Sequence, residues 1–149
     1  MKQVLYIVLL IIITGCNFKP IYSSKDLNFS IQNIEYKQTK LNNKFANAIN
    51  SISDSQSNNN FFIKLDSKKV KITKTRNSKG DPEIFEIQIT LNLIIKNNLD
   101  VKNEITFSEK INLNNSTDKF GLNKYEKELE NILVKKIIEN AIKYLVEIS

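Results

Sequence analysis

The chain has 149 residues, a formal net charge of +6, one cysteine and no histidine. The length suits one small domain with one core. A lone cysteine rules out an intrachain disulfide. The missing histidine removes the commonest general base and metal ligand, and with them Ser-His-Asp and Cys-His catalysis and ordinary zinc sites.

The chain opens with Lys2 and an unbroken apolar run over residues 4–13. This is a charged leader and an apolar stretch too short to span a bilayer comfortably. Ile13-Thr14-Gly15-Cys16 follows, and this order of apolar, small, Gly and Cys resembles the lipobox of bacterial lipoproteins. The resemblance implies cleavage between Gly15 and Cys16, with lipid attachment on Cys16. Residues 1–15 then form a signal peptide and residues 16–149 a single domain of charge +5, since Lys2 leaves with the signal. Lysine, asparagine and isoleucine are over-used throughout, so the basic balance gives no warrant for a nucleic-acid partner. A basic exported protein does suit anionic lipid headgroups.

Pro20 and Ser23-Ser24 make a non-helical exit from the anchor. Leu27, Phe29 and Ile31 alternate, and the phase then changes to Ile34 and Tyr36, which predicts a strand with a bulge near Gln32-Asn33. Leu41, Phe45, Ala48, Ile49 and Ile52 lie three and four apart and predict a short amphipathic helix. Residues 51–60 are polar and read as a loop. Phe61, Ile63 and Leu65 start a second strand, and Val70 and Ile72 continue it after a phase change at residues 67–69. Residues 74–82 read as a long turn.

The clearest pattern follows. Phe85, Ile87, Ile89, Leu91, Leu93 and Ile95 are apolar at strict period two, with Glu86, Gln88, Thr90 and Asn92 between them. That is a half-buried strand with Ile89 and Leu91 facing the core. Asn97-Asn98 turns the chain, and Val101, Ile105, Phe107, Ile111 and Leu113 form its hairpin partner. A long helix is predicted over residues 122–148, with Asn123 and Glu126 at capping-box spacing. Its stripe is Leu129, Leu133, Ile137, Ala141, Tyr144 and Ile148, widened by Ile138, Ile142 and Leu145. The expected fold is α+β, strand-helix-strand-strand-strand-helix, an antiparallel four-stranded sheet with both helices packed on one face.

Cys16, Phe18, Lys19, Pro20, Ile21 and Tyr22 resemble the opening of mature proteins in the LPS-assembly lipoprotein LptE family, with Asn17 where that family usually has glycine. Leu41-Asn42-Asn43 with Phe45 and Ala46, and Phe120-Gly121 with Tyr125-Glu126, resemble its two helix starts more weakly. The resemblance implies an outer-membrane, lipid-anchored, non-catalytic protein without cofactor, facing the periplasm. It implies a role as plug and assembly partner of the LptD barrel, and lipopolysaccharide binding during export. The alternative is a free periplasm-facing lipoprotein that binds a small ligand or another envelope protein.

Lys68, Lys69, Lys71, Lys74, Arg76 and Lys79 form the densest cationic stretch and are the candidate lipopolysaccharide contacts, because lysine and arginine are suited to phosphates and carboxylates. The plainer reading, a solvated strand end, carries more weight because lysine is common throughout the chain. Glu126, Glu128 and Glu130 alternate with lysines at the start of a helix, where acids suit the helix dipole, so no catalytic pair is assigned. Asp54, Asp81, Glu83 and Asp118 are scattered among turns and have no metal-ligand spacing, so no metal site is assigned.

Overall fold

A computed structural model describes residues 29–53, 57, 59–97 and 102–149. The elements run β1 (Ser30–Tyr36), α1 (Lys40–Asn50), β2 (Asn60–Arg76), β3 (Pro82–Lys96), β4 (Lys102–Asn114) and α2 (Lys119–Glu147). They form one four-stranded sheet in the order β1-β2-β3-β4, with the helices on one face. Residues 1–28, which hold the expected signal peptide, Gly15, Cys16 and the motif after it, lie outside the described residues.

The sheet is mixed, which corrects the antiparallel expectation. β1 pairs with β2 in parallel, while β2–β3 and β3–β4 are antiparallel. The cause is α1. It carries the chain back along the sheet, so β2 starts beside the start of β1, with Ser30 opposite Asn60. Parallel neighbours need such a crossover, and a helix is the usual one. The predicted irregularity in β1 is present, as a register shift between Ile31 and Asn33.

The core is one cluster. Ile87, Ile89, Leu91 and Leu93 of β3 are fully buried, as the period-two pattern predicts. Phe61, Ile63 and Leu65 of β2 join them, with Phe45 and Ile49 of α1 and Leu129, Leu133, Ile137, Ala141 and Leu145 of α2. Phe29 stacks at a tilt on Phe61, with ring centroids 5.3 Å apart, where the chain enters the fold.

Two local expectations change. α2 begins at Lys119 rather than near residue 122, because Asp118 is the N-cap and its carboxylate accepts from the Gly121 amide at 3.0 Å. Asn123 is inside the helix, so no capping box forms there. β2 also runs straight through residues 67–69 with no phase change. Ser67, Lys69 and Lys71 stay opposite Leu91, Ile89 and Ile87 on the helix-covered face, while Val70 and Ile72 lie on the other. From Phe62 to Thr73 the composition of each face changes while the pairing stays regular; the register shifts only beyond, between Thr73 and Arg76.

Candidate functional site

Because β2 keeps its phase, the cationic stretch is divided. Lys69 and Lys71 point under α2. The Lys69 Nζ donates to Glu126 Oε1 at 2.8 Å and to Glu130 Oε2 at 3.1 Å; the Lys71 Nζ donates to Glu126 Oε2 at 2.6 Å. Lys44 of α1 closes the network on Glu130 Oε1 at 3.0 Å. The Lys71 ammonium also sits 4.5 Å from the Phe85 ring centroid, a cation–π contact. The lysine stems cover the margin of the core and their heads reach the carboxylates.

Burial opposes the charge on Lys69, but its hydrogen bonds to Glu126 and Glu130 together outweigh it and raise the lysine above its ordinary pKa. Burial likewise opposes charge on Glu126 and Glu130. The bonds from Lys69 and Lys71 to the first, and from Lys44 and Lys69 to the second, hold both below the usual carboxylate value. These groups join β2, α1 and α2 where the apolar layer ends.

The other four cationic residues lie elsewhere. Lys68 and Lys74 are on the face away from the helices, where Lys74 bonds Asn112 Oδ1 at 3.1 Å and pairs with Glu86 at 3.5 Å. Arg76 Nη1 donates to the Gly80 carbonyl at 2.8 Å across the β2–β3 turn, and Lys79 is exposed within that turn. Gly80 has φ +87°, which glycine adopts without strain.

No described element covers the far face of the sheet. A strip of uncharged polar side chains runs along β3 and β4, flanked in the same rows by Asp66 and Lys68 of β2 and by Lys110 of β4. Gln88 Nε2 donates to Ser108 Oγ at 2.8 Å, Thr90 Oγ1 lies 3.3 Å from the same hydroxyl, and Thr106 Oγ1 donates to Asn92 Oδ1 at 2.8 Å. Thr90 opposite Ser108 and Asn92 opposite Thr106 are direct cross-strand pairs, which brings these short side chains within bonding distance.

Two features were not anticipated. Asn42, in the first turn of α1, is buried; its amide donates to the Lys37 carbonyl at 2.8 Å and its oxygen accepts from the Ser67 hydroxyl. It fastens α1 to β2, which gives the Leu41-Asn42-Asn43 segment a structural role. The second is a hollow of about 850 Å³ on the open face, at the end where the chain enters the fold. Phe62 and Ile94 line it, among Glu35, Lys64, Lys96 and Lys102. The doublet Phe61-Phe62 was the available signal, since alternation must turn one of the two rings outward.

This α+β architecture, a four-stranded sheet covered on one face by two helices, is shared with several lipoproteins of known structure. Lipoprotein B of Nitrosomonas europaea superposes with a TM-score of 0.60 at 12% identity, over 88% of this chain and 91% of that one. A minor lipoprotein from Acinetobacter baumannii gives 0.58 at 9% identity, covering 80% and 93%. The rare lipoprotein B of Shewanella oneidensis gives 0.51 at 7% identity, covering 78% and 93%. No family model and no curated protein matches the chain.

Proposed function

We propose that this chain is a lipid-anchored envelope protein. Its domain seats within an outer-membrane barrel of the LptD type, helps that barrel assemble, and contacts lipopolysaccharide on its way to the cell surface. The observation that carries the reading is the open sheet face. Gln88, Thr90, Asn92, Thr106 and Ser108 are polar, uncharged and largely bonded to one another. Covering this strip with a polar barrel lumen costs less than burying charges, because its hydrogen bonds are already made, while Asp66, Lys68 and Lys110 beside it call for charged or hydrated partners on the lumen wall. No helix among the described residues is long and apolar enough to cross a membrane, and an open four-stranded sheet leaves its edges unpaired. A role in transport therefore calls for a partner that spans.

The lipobox-like residues up to Cys16, the segment after it, and a fold shared with lipoproteins support the tether. Lys68, Lys74, Arg76 and Lys79 are the lipopolysaccharide contacts in this reading. Lys69 and Lys71, also candidate contacts by sequence, are held on the opposite face by Glu126 and Glu130. Depletion in the native host tests the proposal. The expected result is less correctly assembled barrel, less surface lipopolysaccharide, and co-isolation of the protein with the barrel in mild detergent. Normal barrel and normal surface lipopolysaccharide in depleted cells refute it and favour the free-binder alternative.

A further inference from the structure

The last outward-facing row of the sheet crosses Asn33, Phe62, Lys96 and Lys102, and the next crosses Glu35, Lys64, Ile94 and Glu104. Lys96 and Lys102 are directly opposite each other across β3 and β4. Like charges in this arrangement repel and destabilise a hairpin. Among the described residues, neither has a carboxylate within ion-pair distance. Lys64 does, but weakly, at 3.6 Å from the exposed Glu35. Beside the two lysines, Phe62 is 46% exposed over the same hollow. Among the described residues, the site thus sets two ammonium groups without an ion-pair partner beside an exposed apolar floor, with Glu35 and Glu104 one row away. That combination matches an amphiphile with an anionic head.

The position of the hollow selects the amphiphile. Phe29 enters the fold at this end of the sheet, next to Asn59 and Asn60. Residues 17–28 join it to Cys16, at most about 45 Å of chain. If Cys16 is acylated, as the proposed function holds, this end of the domain is the one tethered to the bilayer. We infer that the hollow is a headgroup site for an anionic phospholipid of that bilayer. The phosphate lies between Lys96 and Lys102, and the glyceryl and upper acyl carbons lie against Phe62 and Ile94. The site orients the domain on its membrane, with the β2–β3 turn pointing away.

The test uses the mature chain carrying Cys16→Ser, so that no acyl chain contributes and the result does not depend on the anchor. Palmitate labelling of the native chain reads the anchor separately. Protein is floated with vesicles of phosphatidylcholine alone, with added phosphatidylglycerol, or with added lipopolysaccharide. The phosphatidylglycerol vesicles are expected to carry the protein and the neutral ones not. Lys96→Gln with Lys102→Gln should lower that partition roughly tenfold or more, and Phe62→Ser should lower it as well. Lys135→Gln with Lys136→Gln removes the same charge from the exposed side of α2 and should leave it unchanged. Removing the repelling pair should keep or raise the melting temperature, so loss of binding is not loss of fold. No capture by phosphatidylglycerol vesicles, capture only by the lipopolysaccharide vesicles, or equal losses in both double variants would overturn the inference.

Discussion

Replacing Lys69 with methionine tests the account of the cationic stretch. The substitution removes two charge-assisted hydrogen bonds, 2.8 Å to Glu126 and 3.1 Å to Glu130. Neither carboxylate is left alone: Glu126 keeps Lys71 at 2.6 Å and Glu130 keeps Lys44 at 3.0 Å. Methionine also retains most of the apolar stem that covers the core margin. The side chains of Lys69, Glu126 and Glu130 are 30%, 15% and 18% exposed, so the bonds lie between a surface pair and a buried one. A surface pair contributes about 0.2–1 kcal/mol and a charged hydrogen bond about 1.5–3 kcal/mol. The expected loss at neutral pH is therefore roughly 1–3 kcal/mol.

Its pH dependence follows from the shifts. Glu126 and Glu130 titrate lower in the folded state, so their contribution is present above the unfolded carboxylate pKa and disappears as pH falls through the folded values. Lys69 titrates higher when folded, so its contribution is complete below the ordinary lysine pKa and is lost as pH rises through the folded value. Urea denaturation of wild type and Lys69→Met at neutral pH and near pH ~3 measures the effect. The gap between the two proteins should shrink in acid. An equal gap at both values, or no gap at neutral pH, would refute a stabilising network and return Lys69 to the ligand-contact role.

Leu91 is fully buried on the helix-covered face, so Leu91→Ala should cost about 2–5 kcal/mol by denaturant midpoint. Thr90→Ala, on the open face, should cost well under that; equal costs would contradict the assigned strand phase. Asp118→Ala removes the α2 cap and should cost about 0.5–2 kcal/mol, with faster amide exchange confined to the first turn, while uniform exchange along α2 would place the helix start elsewhere. Cys16→Ala should abolish palmitate labelling and leave the precursor uncut; labelling that persists would exclude Cys16 as the acylated residue.

The period-two run over residues 85–95 was legible because one side of β3 meets the core along its length. The α2 stripe was legible for the same reason, at helical spacing. The parallel pairing of β1 was not, since alternation marks a strand and its faces but carries no direction. The phase of β2 was misread because a cation on a core-facing position breaks the apolar pattern and mimics a phase change. Only the partner carboxylates, 55 or more residues later in the chain, reveal that Lys69 and Lys71 face inward. The hollow at Phe62 was hidden in a similar way, since Lys96 and Lys102 come together only through the register of β3 with β4. The Cys16 expectation rests on local order alone and lies outside the described residues, so the fold does not bear on it.

The most direct measurement is photo-crosslinking from the open sheet face in living cells. A photoreactive residue at Ser108 lies on the polar strip with Gln88 and Thr90. The account predicts a single high-mass adduct containing the outer-membrane barrel. Absence of that adduct, with the protein otherwise stable and membrane-bound, would contradict the claim that this face is seated within a barrel.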